Sequence, residues 1–265
     1  MVHFLRPAAP HQAARPGDAG LHSARGCKFE SRIRDLSREL LDGSIERGEM
    51  DLVENYATPM PMMVIGDILG LPVADLPRFT RWSEVIVKLS YSISGGEEAD
   101  QAAMEFLMAT AEMQAYVTGL LAERRKSPKD DLLTKLAEAN VAGEGLTDEE
   151  ILGFFQLLLV GGTETTTNMI SNAVLCLIEN PEQLALLQPN PDLLPSAIEE
   201  VVRHRSSIQW EYRATRHDVE LRGQRIPAGQ LVLAMIGSAN RDPQQFRDPD
   251  PSTLPAIRDT KTVRQ

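Results

Sequence analysis

At 265 residues, the chain is long enough for one large domain or two small ones with a sizeable core. Its formal net charge of −11 lacks the basic footprint of nucleic-acid binding, and 42% hydrophobic with 25% charged residues is ordinary for a soluble globular protein. Cys27 and Cys176 have no C-x-x-C spacing and the histidines no metal-ligand spacing; no apolar run is of membrane-spanning length and the start is no secretory signal, so the expectation is a soluble cytoplasmic chain.

Residues before about Gly26 are rich in Pro, Ala and Arg without period and read as an irregular arm. From Phe29 onward, Phe29, Ile33, Leu36, Leu40 and Ile45 recur at helical spacing and predict an amphipathic helix. "MPMMVIGDILGLP" predicts a more buried helix stopped by Gly70 and Pro72. "LPRFTRWSEVIVKLS", the long "EEADQAAMEFLMATAEMQAYVTGLLAERRK" and the short "DDLLTKLAEA" predict three more helices. Next, Thr147 and Glu150 form a capping-box pattern, and the apolar pattern runs from there to Pro181. Such a helix spans roughly 50 Å at about 1.5 Å per residue. Being apolar nearly all round, it should be central. Two shorter helices follow, "PEQLALLQ" and "LLPSAIEEVVRHR". After Ser206 the segments are short, β-branched and broken by Gly and Pro, which predicts the strands of a small sheet.

Three constellations stand out. "GGTETTTN" interrupts the long helix, where each of Gly161 and Gly162 costs about 1 kcal/mol against alanine. Thr165 lies four residues after Gly161, so its hydroxyl can bond back to that carbonyl and open the helix locally beside Glu164. The result would be a bare backbone groove with an acid and an alcohol able to relay protons; the competing reading is close helix packing against the glycines. In "EEVVR", Glu200 and Arg203 are three apart on one helix face and can pair, most simply as a solvated ion pair. Arg213, on the strand that follows, is placed to meet an anionic ligand group or to serve as an edge-strand charge, and "ANRDP", Ala239 to Pro243, reads as turn chemistry.

Together and in this order, "GGTETT", "EEVVR" and the run from Tyr212 to Pro243 resemble a soluble bacterial cytochrome P450, a haem-thiolate monooxygenase. Gly161 stands where the family usually has alanine. The resemblance implies a mainly α fold with a small β-sheet, an incomplete cytochrome P450 fold around one long central helix. It implies haem b, oxygen, a small organic substrate to hydroxylate, and a ferredoxin-type electron donor with its reductase; neither nucleic acid nor membrane is a partner. Thr165 would hydrogen-bond the oxygen being activated and Glu164 would feed protons toward it; Gly161 and Gly162 would leave room over the haem. Arg213 would meet a haem propionate, Val160, Ile208 and Gln209 would lie near substrate, and Glu200 with Arg203 would form a buried structural pair.

The resemblance covers residues 27–250 as a partial domain, with irregular segments at 1–26 and 251–265. The family's F-x-x-G-x-x-x-C-x-G loop, which carries the axial cysteine, and its H-x-x-x-R helix are absent, so no metal ligand is assigned and this chain is expected to bind no haem and to be inactive. Frameshifts are the expected cause at both ends. Back-translated with GC-rich codons and read one base on, "PAAPHQAARPGDAGLHSAR" yields PPHHTRLRALVTRAFTPR, which resembles the missing helix. "PSTLPA" read from its third base yields FDITR, which resembles the family's F-D-x-x-R. The alternative is a haem-less relative acting as an activator or scaffold for a partner enzyme; retention of Glu164 and Thr165 favours the damaged enzyme.

Overall fold

The computed structural model describes residues 19–92, 95–141, 144–246 and 249–250. The chain divides into two units at Glu49 and Met50. The described part of the first is the helix α1, Ala19–Ile45. It starts ten residues ahead of Phe29, because the Ala, Leu and Ser of "AGLHSARGC" extend a helix once nucleated and no proline intervenes. The irregular reading of 1–26 therefore does not hold for 19–26; residues 1–18 and 251–265, and the irregular segments expected there, lie outside the described residues.

Apart from one short hairpin, the second unit is built of helices up to residue 204 and holds the core. A π-helical turn at Val53–Ala57 leads into α2, Pro59–Leu69, with a proline in its first turn. Gly70 ends α2 in the left-handed conformation, φ 68°, and Leu71 N–H bonds back to Gly66 O at 2.8 Å, as a left-handed C-cap requires. Next come α3, Leu76–Tyr91, α4, Glu97–Lys126, and α5, Leu132–Glu138. A short hairpin, β1 Asn140–Val141 and β2 Glu144–Gly145, precedes the long helix α6, Asp148–Glu179. The predicted capping box opens α6: Glu150 N–H donates to Thr147 Oγ1 at 3.2 Å, and Thr147 N–H to Glu150 Oε2 at 2.9 Å. Then follow α7, Pro181–Leu187, and α8, Leu194–His204.

Helices α2, α3, α4, α7 and α8 all pack on α6, which makes it the central element expected from its apolar composition. The core lies between α2, α3, α4, α5 and the first half of α6, around Met62, Leu69, Phe79, Trp82, Met113, Leu121, Leu133, Ile151, Phe155 and Leu159. Phe79, Trp82, Tyr116 and Phe155 meet edge-on or tilted, with ring centroids 5.4 to 6.4 Å apart.

Glu112 of α4 ties α3 to this cluster. Its carboxylate takes Arg78 Nε at 2.7 Å and Trp82 Nε1 at 3.1 Å, and it also pairs with Arg81. The Arg81, Trp82 and Arg78 hydrogen bonds hold its pKa down to about 2. A depressed carboxylate adds stability above its unfolded pKa and loses it as pH falls through the folded one. The stability gap between wild type and Glu112→Gln should therefore be full above about pH 5 and close between about pH 4.5 and 2. Urea midpoints across that window check this, and a gap that stays constant would refute it.

After residue 206 the structure turns to strands, but not to one sheet. β3 Glu211–Ala214 pairs antiparallel with β6 Leu231–Ala234, and β4 Val219–Leu221 with β5 Gln224–Ile226. Each ladder, like β1 with β2, has two strands. Between β3 and β4, at Thr215 to Asp218, side chains take the backbone's bonds. Thr215 Oγ1 accepts Gln230 N–H at 3.0 Å and donates to Pro227 O at 2.7 Å; Asp218 Oδ1 accepts Ala228 N–H at 2.9 Å. The short helix α9, Ile236–Ala239, leads into the predicted "ANRDP" turn, where Arg241 N–H bonds Ser238 O at 3.0 Å.

Candidate functional site

The "GGTETTTN" stretch lies at the middle of α6, and the helix is continuous through it. Thr165 Oγ1 does donate to Gly161 O, at 2.7 Å. The expected local opening is not seen: the hydroxyl bond is accommodated beside the helical ladder, as an i−4 back-bond allows.

The two glycines behave differently. A Cβ on Gly162 would lie 2.5 Å from Ile65 Cδ1 on α2, so this glycine serves close helix packing. A Cβ on Gly161 would meet nothing within 4 Å, and Gly161 is exposed alongside Phe154 and Leu157. Gly161→Ala should accordingly raise stability by up to about 1 kcal/mol through helix propensity. Gly162→Ala gains the same propensity but crowds Ile65, for a net loss of about 1 kcal/mol or more. Equal denaturation midpoints for the two variants would overturn the distinction.

The threonines also divide. Thr163 is buried, bonds Ser83 Oγ on α3 at 3.0 Å and donates to Leu159 O. Thr167 donates to Ala57 O at 3.0 Å and holds the π-helical turn against α6. These are fastenings of the scaffold that spacing alone does not reveal, because they reach residues 80 and 110 positions away. Thr165 and the half-buried Glu164 remain beside Gly161 as the stretch's free chemistry. Burial raises the Glu164 pKa above the usual carboxylate range, which favours its protonated form. Val160 is half-buried on the same helix.

Glu200 and Arg203 of α8 are both buried, at 1% and 5% exposure, which excludes the solvated reading. Arg203 grips Glu200 with two bonds, Nε to Oε2 at 2.8 Å and Nη2 to Oε1 at 2.7 Å. Its Nη1 donates to Asn240 O at 2.9 Å and Pro249 O at 2.8 Å, and its guanidinium lies 5.3 Å from the Phe246 ring centroid. The pair thus clamps the "ANRDP" turn to α8.

Arg213 sits on β3 opposite Val232 of β6. Its Nη1 pairs with Glu211 at 2.5 Å and donates to Tyr212 O at 2.9 Å, with the side chain 73% exposed. Ile208 is half-buried and Gln209 exposed. Gln209 lines a polar cavity of about 330 Å³ with Asn172, His204, Arg205, Ser206, Gly237 and Arg241. Burial, with Arg241 and Arg203 nearby, lowers the His204 pKa, so this cavity presents a neutral imidazole. Among the candidate residues Gln209 lines it, and Val160, Gly161, Gly162, Glu164, Thr165, Ile208 and Arg213 do not.

A haem of the kind this motif set implies needs a thiolate donor. Cys176 is the cysteine whose side chain is described. It is buried on α6, three turns beyond Thr165, and burial raises its pKa, with Glu179 and Arg205 as its charged neighbours. A thiol buried in a helix packing face is out of reach of a haem iron. The described donors do not fit thiolate-held haem, and among the described residues no cluster of His, Cys, Asp and Glu could hold a metal ion.

Comparison with known proteins gives the lineage. The cytochrome P450 family model matches residues 99–251. Cytochrome P450 107B1 of Saccharopolyspora erythraea is 40% identical over 220 residues, 83% of this chain and 52% of that protein. The methyl-branched lipid omega-hydroxylase of Mycobacterium tuberculosis is 38% identical over 226 residues, 84% of this chain and 52% of the relative. Among solved structures, CYP109E1 of Bacillus megaterium in complex with testosterone superposes with a TM-score of 0.77 at 38% identity, over 87% of this chain and 61% of its own. The chain spans about half the length of the curated relatives it matches. No described helix is long and apolar enough to cross a membrane. With the long α6, the buried Glu200/Arg203 clamp and a family match over more than half its residues, the chain belongs to the cytochrome P450 family.

Proposed function

We propose that the chain is the central scaffold of a haem-dependent monooxygenase that hydroxylates an apolar organic molecule, and that by itself it neither holds a thiolate-ligated haem nor hydroxylates anything. The carrying observation is Cys176: a buried thiol with a raised pKa, on the packing side of α6. Family membership, the methyl-branched lipid in one relative's name and the testosterone bound to another support the substrate class. Within the whole enzyme, Glu164 would offer a carboxyl that burial biases toward its protonated form, and Thr165 a hydroxyl oxygen whose own proton is committed to Gly161 O. The pair is suited to holding and passing a proton at the open face of α6. Gly161, with no neighbour over its Cβ position, leaves that face accessible to a flat group, while Arg213 would have to exchange Glu211 for a carboxylate of the cofactor. Val160, Ile208 and Gln209 are the proposed substrate contacts, and a ferredoxin-type protein with its reductase the proposed electron source.

The test is spectroscopic. The purified chain is mixed with haem, reduced and exposed to carbon monoxide. The expected spectrum lacks the thiolate-ligated signature; its appearance would overturn the proposal. Restoring the axial-cysteine segment should produce that signature, and failure to do so would count against the lineage-based function.

A further inference from the structure

Among the described residues the outward face of α4 has no partner, and it is self-complementary. Met104, Leu107 and Met108 are 61%, 63% and 69% exposed, and Ala111, Ala115, Thr118, Gly119 and Ala122 are exposed with them. At about 100° per residue, these positions fall within about 60° either side of one line along the helix. The first half of that line is large and apolar; the second half is small. Gly119 sharpens the contrast. It costs about 1 kcal/mol against alanine in an exposed helix interior. Yet a Cβ there would meet nothing within 4 Å, so no packing among the described residues explains the glycine.

Charge follows the same polarity. Glu97 and Asp100 lie on the line in the first turn of α4, and Lys126 lies on it in the last. All three are exposed. Among the described residues neither Glu97 nor Lys126 has an ion-pair partner, whereas the neighbouring Arg124 and Arg125 are taken by Asp131 and Asp148.

We infer that α4 is a homodimer interface, in which two copies of the chain pair antiparallel about a two-fold axis near Ala111. A second copy turned end for end sets Met104 against Thr118 and Gly119, and Leu107 and Met108 against Ala115. It brings Glu97 of each copy to Lys126 of the other. A two-fold contact requires a surface that complements itself in this way. The face of one helix about 45 Å long and 10 Å wide buries about 900 Å² over both copies, which is the class of weak, reversible association.

Sedimentation velocity of the purified full chain from about 1 to 200 µM tests this; the expected result is a monomer–dimer equilibrium in the micromolar range. Glu97→Lys and Lys126→Glu should each weaken it about tenfold, since each sets like charges together twice in the dimer. The doubly reversed variant restores opposite charges and should return to within about threefold of wild type. Ala111→Glu, which puts two acids at the axis, should leave monomer only. All three positions are exposed on the helix surface, and circular dichroism confirms that the variants are folded. A monomer throughout the range, or association indifferent to the single reversals, would overturn the inference and place any self-contact on another face.

Discussion

Arg203→Ala is expected to destabilise the second unit by about 3–5 kcal/mol, the cost of leaving a buried charge without its partner. The geometry puts the pair firmly in that regime. Glu200 is 1% exposed and gripped by two bonds, so truncating Arg203 strands a carboxylate that water cannot reach. The same truncation removes the donor for Asn240 O and Pro249 O. Glu200→Ala leaves those two backbone bonds in place and strands the guanidinium instead, so it should cost less than Arg203→Ala. Arg203→Lys keeps the charge but cannot span two carboxylate oxygens and two carbonyls at once, and should recover less than half of the loss. Urea denaturation of the three variants reads the order; losses of about 1 kcal/mol or less would mean that the pair behaves as an exposed one.

That clamp shows how unevenly the sequence discloses this molecule. Three-residue spacing makes the pairing of Glu200 and Arg203 legible, but helix surfaces are full of such pairs. Burial comes from what α8 faces, the turn around Asn240, some 40 residues later. Local signals read well for the same reason in reverse. The Thr147/Glu150 box and the Gly70 stop depend on residues a few positions apart and formed as expected. Gly161 and Gly162 could not be told apart in sequence, because adjacent glycines have equal propensity and only the position of Ile65 on α2 separates a packing contact from an open face. The strands formed where composition placed them, but Thr215 and Asp218 bond locally to backbone between β3 and β4, and β-branched composition does not report that competition. The resemblance supplied the family and the candidate residues of α6. It did not supply the polar cavity lined by Gln209 and by none of those α6 residues, which depends on long-range packing that spacing does not encode.

The second large effect lies where three helices meet. Arg124, 1% exposed at its side chain, donates from Nε to Asp131 Oδ2 at 2.6 Å and from Nη2 to Gly70 O at 2.7 Å. It thereby ties the end of α4 to the start of α5 and the end of α2. Asp131 also caps α5, its Oδ1 accepting Thr134 N–H at 2.8 Å. Asp131→Ala loses the cap, about 1 kcal/mol, and strands a buried guanidinium, about 3–5 kcal/mol. Nη1 offers little rescue: its ion-pair partner Glu123 Oε1, 3.2 Å away and not aligned for a hydrogen bond, is half-exposed and shared with Lys129. Asp131→Asn separates the two terms, since the amide oxygen can still cap while the charge is gone. It should retain the cap's share and lose most of the rest. Gly70→Ala attacks the same junction from α2, because φ of 68° strains any side chain and the added carbon would collide with the Asp131 carboxylate. Trp82 lies in the adjoining core, so its fluorescence during urea denaturation reports this region. The expected order of loss is Asp131→Ala above Asp131→Asn. A near-wild-type Asp131→Asn would show that the cap, not the ion pair, holds the junction.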